Sequence, residues 1–206
     1  MPSLIDAIRG RRSVRKYSSR QVPSEILNEV LEAARWAPSA HNAQPWRFIV
    51  LTDAATKAVL AKAMEEAWNA DLAKEGLAAT ARVAMTETST KRFTNAPALI
   101  VACLTMSNMK KYPDASRRKS ERDLAVQSMG AAIQTLLLAA HSKGLGACWF
   151  SAPVFCKDAV RKVLEIPEDV EPQAIIAVGY PSENGSAPAR KPFKSIVYFR
   201  RWSKES

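Results

Sequence analysis

Residues 121–143 constrain the fold of this 206-residue chain more than any other segment. Apolar side chains recur there with a helical period, and the main stripe consists of Val126, Met129, Ile133, Leu136, Leu137 and Ala140. Ala125, Ala132 and Ala139 extend the apolar surface around the side of the helix. Such a broad surface predicts a helix that is covered on several sides, either in a domain core or in a dimer interface.

Short apolar segments alternate with helical patterns along the rest of the chain. Strands are predicted at 46–51, 98–104, 147–150, 173–179 and 195–199. Helices are predicted at 3–10, 23–36, 53–75 and 156–164. The polar stretch 76–119 predicts a mobile flap or a helical insertion as far as residue 95, and a polar connection after residue 105. The length and this order predict one domain, 1–206, of the α/β or α+β class, with helices covering a central sheet.

Charge and residue counts narrow the class of partner. Thirty Lys and Arg residues against 20 Asp and Glu give a net charge of +10, which suits either a polyanion or an anionic small molecule. Three cysteines and two histidines are too few for a disulfide framework or a multi-histidine metal site. The N-terminus lacks the layout of a signal peptide, and the apolar runs are short, so we predict a cytoplasmic protein without membrane spans.

A basic cluster near the N-terminus is the first candidate site. Arg11, Arg12 and Arg15 surround Ser13, and guanidinium groups with a hydroxyl suit a phosphate. The sequence has neither a glycine-rich dinucleotide fingerprint nor a phosphate-binding loop, so side chains must hold any phosphate. Two alternatives are a solvated basic surface and a nucleic-acid contact patch.

A proline-bounded loop between a predicted helix and strand is the second candidate. Pro38, Ser39, Ala40, Asn42 and Gln44 lie in it, and its hydroxyl and amide groups suit the polar edge of a heterocycle. The alternative is an ordinary helix-to-strand turn whose polar groups satisfy the local backbone. Residue 41 is a histidine, but nothing in the sequence fixes a partner for it.

Four motifs in order resemble the flavin-dependent nitroreductase family. They are Arg-Arg-Ser-Val-Arg-Lys-Tyr at 11–17, Ala-Pro-Ser-Ala-His-Asn-Ala-Gln-Pro-Trp at 37–46, Gly-Leu-Gly-Ala-Cys-Trp-Phe at 144–150, and Val-Gly-Tyr-Pro at 178–181 with Arg-Lys-Pro-Phe at 190–193. The resemblance covers nearly the whole chain. It implies an α+β fold with a mixed, mostly antiparallel sheet and an intertwined homodimer with two FMN pockets at the interface.

The same resemblance implies roles for individual residues. It implies that the phosphate, ribityl and pyrimidine groups of FMN are bound by Arg11, Arg12, Ser13, Arg15 and Arg190. The loop residues Pro38, Ser39, Ala40, Asn42 and Gln44 come from the other subunit. Trp149, Phe150 and Ser151 lie against the flavin ring. Many relatives carry Pro-x-Glu-Gly in this last loop, and this chain lacks that acidic residue.

The implied reaction is a ping-pong transfer of hydride from NAD(P)H, through the flavin, to a small acceptor such as a nitroaromatic, quinone or enoyl compound. Catalysis then needs no protein nucleophile, and Lys91 and Arg92 are candidates for substrate contact or for plain solvated charges. A narrower resemblance, in Tyr-Pro-Asp-Ala at 112–115 and Asp-Val-Glu-Pro at 169–172, points to the reductase domain of deazaflavin-coenzyme biosynthesis proteins.

Two hypotheses from other classes stay open at this stage. One is a basic nucleic-acid-binding protein, for which net charge is the only support. The other is a flavin-binding protein without reductase turnover. Among the aromatic residues, Trp36 and Trp46 are predicted to be core anchors, and Cys148 is predicted to be a buried strand residue.

Overall fold

The computed structural model describes residues 3–183 and 185–202. Four strands form one sheet in the order β1-β2-β4-β3, and each neighbouring pair is antiparallel. The strands are β1 Trp46–Leu51, β2 Ala98–Thr105, β3 Gly146–Phe150 and β4 Val170–Gly179. The helices are α1 Leu4–Gly10, α2 Ser24–Arg35, α3 Ala54–Lys74, α4 Ala79–Thr94, α5 Ala115–Ser142 and α6 Lys157–Leu164. The predicted α+β class is confirmed. Ser13 and Ala147 form an isolated parallel bridge.

Alternating side chains of the two central strands divide the core into two layers. On β2, Ile100 and Ala102 face the layer that contains α2 and α5, whereas Leu99 and Val101 face the layer of α3, α4 and α6. Successive residues of a strand point to opposite faces, so a strand buried on both sides is apolar throughout. Every residue of β2 is buried, which explains the uninterrupted apolar run in the sequence.

The central helix begins earlier than its apolar period suggested. Asp114 caps α5, and its side chain accepts a hydrogen bond from the backbone N–H of Arg117. The first turn and a half is charged, so periodicity alone placed the start at residue 121 and left 115–119 as a connection. Val126, predicted in the buried stripe, is 39% exposed. Among the described residues, α5 is the one helix that could span a membrane by length and composition, but its buried residues pack on the sheet as those of a core helix do.

Two further predictions were wrong. The predicted strand 195–199 is absent from the described residues: a 3-10 turn, Phe193–Ser195, is followed by irregular chain, because no sheet edge of the same chain pairs with it. Trp46 is a core anchor, but Trp36 lies on the surface, where its indole N–H donates to Glu32. The polar segment predicted as a flap or helical insertion contains α4, whose Phe93 is buried in the core.

Candidate functional site

The basic N-terminal segment lies along the edge of the sheet. The N–H of Val14 donates to the carbonyl of Ala147 on β3 at 3.1 Å. The Tyr17 hydroxyl lies 2.6 Å from the carbonyl oxygen of Val14 and 3.0 Å from that of Ala177 on β4. Burial raises the pKa of Tyr17, so this hydroxyl keeps its proton and remains a donor. Gly146 permits the close approach, because a Cβ there would lie 2.7 Å from the side chain of Val14.

The anchored segment forms one wall of a basic cleft of about 570 Å³. The opposite wall comes from the segment after β4, which contributes Glu183, Ser186 and Arg190. The structure therefore brings together all five residues to which the resemblance assigned the phosphate, ribityl and pyrimidine groups of FMN: Arg11, Arg12, Ser13, Arg15 and Arg190. The sequence did not identify Glu183 or Ser186, since neither stands in a recognisable motif.

The charges in this cleft, called here the arginine cleft, are largely uncompensated. Within residues 3–183 and 185–202, none of its four guanidinium groups forms an ion pair with a carboxylate. Arg12 donates to the carbonyl oxygens of Arg9 at 2.5 Å and Arg11 at 2.9 Å. The one acidic residue, Glu183, accepts from the backbone N–H of Arg15 at 3.0 Å. Convergent guanidinium groups and a serine hydroxyl form a donor set that fits a phosphate dianion.

The proline-bounded loop has an unusual backbone. His41, Asn42 and Gln44 have φ values of 57°, 51° and 46°, in the left-handed region that non-glycine residues rarely adopt. Each such residue costs on the order of 1 kcal/mol or more and persists only where the surroundings fix it. Here Ser39 Oγ accepts from the N–H of Gln44 at 3.1 Å, and the N–H of Ala40 donates to Ser128 Oγ on α5 at 3.1 Å. Strain held in this way is typical of functional loops.

A buried carboxylate also ties this loop to α5. Glu121 is 5% exposed, and its Oε1 lies 3.2 Å from His41 Nε2. Its Oε2 accepts from the backbone N–H of Lys110 at 3.2 Å. Glu121 is therefore the partner of His41 that the sequence could not identify. A charged residue at the polar start of a helix gives no sequence signal that it is buried.

We expect Glu121→Ala to lower the free energy of unfolding by about 1–3 kcal/mol, because it leaves the Lys110 N–H and His41 without the carboxylate that they contact. Urea denaturation measures this loss. Asp123→Ala, which removes an exposed carboxylate two residues further along α5, is the matched control. Equal stability of the two variants would show that the carboxylate does not hold the loop.

The remaining predicted site residues lie on different faces. The Trp149 ring is partly exposed beside α5, where a methyl group on Gly130 would lie 3.9 Å from it. Phe150 points to the other face, with its ring centroid 5.2 Å from that of Phe93. Ser151 follows at the exposed end of β3. The structure thus gives the two aromatic residues different surroundings.

The two α4 candidates also differ. Lys91 forms an ion pair with Glu87 at 2.6 Å. Arg92 is exposed, and its charge acts on Cys148 of β3. Burial raises the pKa of the Cys148 thiol, while the charges of Arg15 and Arg92 oppose that rise. The predicted burial of Cys148 is confirmed.

The loop and the arginine cleft are separate within one chain. No described residue of the loop lines the cleft. The loop contacts α5 at Ser128, and Trp149 contacts it at Gly130. Two residues that are two positions apart on a helix differ by about 200° of rotation around its axis. Ser128 and Gly130 therefore lie on nearly opposite sides of α5.

Comparison with known proteins identifies the family. The sequence profile of the Nitroreductase family matches residues 8–180, which include three of the four motifs and the start of the fourth. The chain belongs to the nitroreductase family. It is 34% identical over 183 residues to a protein of Methanothermobacter thermautotrophicus that carries the provisional name NADH dehydrogenase/NAD(P)H nitroreductase, and the match covers 88% of this chain and 78% of that protein. This member of the family is therefore an oxidoreductase, as predicted.

Two solved structures resemble the nitroreductase over its full length. A BluB-like flavoprotein from Clostridium difficile 630 superposes with a TM-score of 0.83 at 26% identity, covering 98% of this chain and 100% of that one. A provisionally named nitroreductase from Desulfovibrio desulfuricans, solved in complex with FMN, gives a TM-score of 0.74 at 27% identity, covering 98% and 99%. The nitroreductase-like fold is thereby confirmed.

Proposed function

We propose that this nitroreductase binds FMN, with the phosphate in the arginine cleft, and passes hydride from NAD(P)H to a small electron acceptor. The observation that carries the proposal is that four arginines, none of them in an ion pair with a described carboxylate, line one cleft at the edge of the sheet. A family of flavin-dependent oxidoreductases, one of them solved with FMN, supplies the chemical context.

The residues of the cleft divide between phosphate binding and support. Arg11 and Arg190 make no side-chain hydrogen bond to a described residue and are free to meet the phosphate. Arg12 is held by backbone carbonyls, so it contributes charge from a fixed position. The Ser13 hydroxyl and Arg15 lie further along the same wall, toward the ribityl chain and the polar edge of the ring system. The exposed Trp149 ring offers a flat surface beside α5, with Phe150 and Ser151 at the neighbouring end of β3.

The other wall of the pocket is assigned to the loop of a second subunit. None of the loop residues lines the arginine cleft of its own chain; they are Pro38, Ser39, Ala40, Asn42 and Gln44. Large apolar side chains are exposed on α1 and after β4, and such a surface is typical of a protein–protein interface. These residues are Leu4, Ile5, Ile8, Phe193, Ile196, Phe199 and Trp202. A homodimer that buries these residues would bring the loop of one subunit to the cleft of the other.

Hybrid dimers test this arrangement. One subunit carries Arg11→Ala with Arg190→Ala, and the other carries Ser39→Ala with Asn42→Ala. Each parent homodimer then has two defective pockets, whereas a hybrid combines one intact cleft with one intact loop. We expect the purified hybrid to regain one FMN per dimer. Absence of recovery would show that each pocket is built from a single chain.

In this account the chain contributes binding, orientation and charge. FMN, when bound, supplies a ring atom that takes a hydride from NAD(P)H and gives it to the acceptor. The arginine cleft fixes the phosphate and hence the distance of the ring from Trp149 and the loop. Arg92 is exposed and forms no ion pair with a described carboxylate, so it is the stronger candidate for contact with an anionic substrate. Lys91, already paired with Glu87, is the weaker candidate.

A second candidate is the reduction of a dehydro precursor of a deazaflavin coenzyme. The narrower sequence resemblance favours it, and the net charge of +10 suits a phosphodiester substrate. The described cysteines are all free, which fits the reducing cytoplasm that we propose as its location.

Anaerobic reduction followed by a panel of acceptors tests both candidates. The isolated protein should be yellow, release FMN on denaturation and lose its colour with NAD(P)H. Reoxidation by nitroaromatics and quinones supports the general function, and selective reoxidation by the deazaflavin precursor supports the narrower one. A colourless protein that rejects FMN but binds DNA would overturn both.

A further inference from the structure

A second basic cleft lies at the start of α5, apart from the arginine cleft. It has a volume of about 490 Å³, and most of its exposed lining consists of apolar atoms, with charged ends around it; the lining residues are Met106, Lys110, Lys111, Tyr112, Arg118, Glu121 and Arg122. The proposed FMN site uses none of these residues. Four cations around one opening in a small protein require an explanation, since like charges repel unless something compensates them.

Some of this charge is already compensated. Arg122 donates to Glu171 at 2.7 Å, and Lys157 donates to the same carboxylate at 2.6 Å. Burial opposes ionisation of Glu171, but these two cations outweigh it and lower the pKa of the carboxyl group. Arg122 and Glu171 therefore form a neutralised wall of the cleft.

The other cations have no such partner. Across the described parts of the chain, neither Lys110, Lys111 nor Arg118 forms an ion pair with a carboxylate. Arg118 Nη1 donates to the carbonyl oxygens of Tyr112 and Pro113, which holds its guanidinium over the turn before α5. The Tyr112 ring is half-buried beside it and packs against Arg117 at 4.6 Å. Two mobile ammonium groups thus stand beside one fixed guanidinium, a donor set for an anion.

The position of this cleft connects it to the reaction. Glu121 lines the cleft, and the same carboxylate contacts His41 of the strained loop. Lys110 is held there too, because its backbone N–H donates to Glu121. The cleft is thus adjacent to the strained loop, which is assigned to the flavin pocket of the second subunit.

We propose that the cleft of Lys110, Lys111 and Arg118 binds an anionic group, phosphate or its equivalent, of one of the two substrates. The inference rests on the proposed function, because it places the reacting end of the same molecule at the flavin. Two sources share this chemistry: the 2′-phosphate of NADPH, and an anionic group on the electron acceptor.

Steady-state kinetics of the FMN-loaded enzyme test the proposal. The test variant is Lys110→Gln with Lys111→Gln. The control is Lys74→Gln with Lys162→Gln, which removes the same charge from surface positions outside both clefts. NADPH is compared with NADH, and a sulfonated quinone is compared with its neutral parent. Flavin content and melting temperature confirm that each variant is folded and loaded.

We expect the test variant to raise KM about tenfold for the anionic member of one pair, with kcat little changed, because charge-assisted contacts are lost. A selective rise for NADPH assigns the cleft to the 2′-phosphate, and one for the sulfonated quinone assigns it to the acceptor. If the test variant changes KM equally for both members of each pair, or if the control variant shows the same selective rise in KM, the inference is wrong. That outcome leaves FMN binding and flavin reduction intact, whereas failure of the proposed function would appear as an enzyme that takes up no FMN.

Discussion

Replacement of both Arg11 and Arg190 by alanine is expected to weaken FMN binding by about 100-fold or more. Each residue supplies a guanidinium group without a carboxylate partner from an opposite wall of the arginine cleft. A hydrogen bond to a charged group contributes about 1.5–3 kcal/mol, so the loss of two such contacts gives at least this factor. Fluorescence titration of the apoprotein with FMN measures the change directly.

Arg9→Ala is the matched control for this experiment. Arg9 lies in the last turn of α1, next to the cluster, and the substitution removes one positive charge without touching the cleft lining. Its carbonyl, which holds Arg12, is retained. If Arg9→Ala weakens FMN binding as much as Arg11→Ala does, general electrostatic attraction rather than direct contact explains the cluster.

Gly146→Ala is expected to lower both stability and FMN affinity. A Cβ at this position would lie 2.7 Å from Cβ and Cγ1 of Val14 and 2.9 Å from Cγ2. Val14 is buried and β-branched, so it cannot move aside by a simple rotation. Overpacking of this kind costs about 1–3 kcal/mol, and its relief requires the Val14 segment to move away from β3. That movement carries Ser13 and Arg15 with it.

Gly130→Ala provides the contrast in the same part of the molecule. A Cβ there meets only the Trp149 ring, at an ordinary distance of 3.9 Å, in the interior of α5. Helix propensity predicts that this variant gains about 0.5–1 kcal/mol. Chemical denaturation distinguishes the two. If Gly146→Ala is as stable as the wild type, the segment from Ser13 to Tyr17 is not locked to the sheet as described.

The sequence placed two of the strands closely. The strand Trp46–Leu51 was predicted residue for residue from its aromatic and β-branched residues, although only Trp46 and Leu51 in it are buried. The strand β2 was placed within one residue, because side chains covered on both faces leave an unbroken apolar run. The start of α5 was missed because a capped but charged first turn carries no apolar period. The strand at 195–199 was predicted from β-branched and aromatic residues alone, and such residues form a strand only where a partner edge is available.

The candidate site could be predicted in part. Arg11, Arg12, Ser13, Arg15 and Arg190 converge on one cleft, although residues 15 and 190 are far apart in sequence. Order and spacing of family motifs carried that prediction, which no local property of a single arginine could have supplied. The contact between Glu121 and His41 could not be predicted from the sequence, because 80 residues separate them and the glutamate lies in a polar stretch.

The division of the site has a consequence for mutational studies. The loop is held by Ser128 and Glu121 of its own chain, whereas the arginine cleft is held by β3 and β4. In the proposed dimer, a change on α5 therefore alters the flavin pocket whose cleft belongs to the other subunit. The hybrid-dimer experiment separates such effects from changes in the cleft itself.

The central claim is that the arginine cleft binds the phosphate of a flavin mononucleotide. Isothermal titration of the apoprotein with FMN and with riboflavin, which lacks only that phosphate, tests it most directly. We predict one FMN per chain, bound about 100-fold or more tightly than riboflavin, with a difference that shrinks as ionic strength rises. Equal affinities for the two flavins, or no binding of either, would contradict the account.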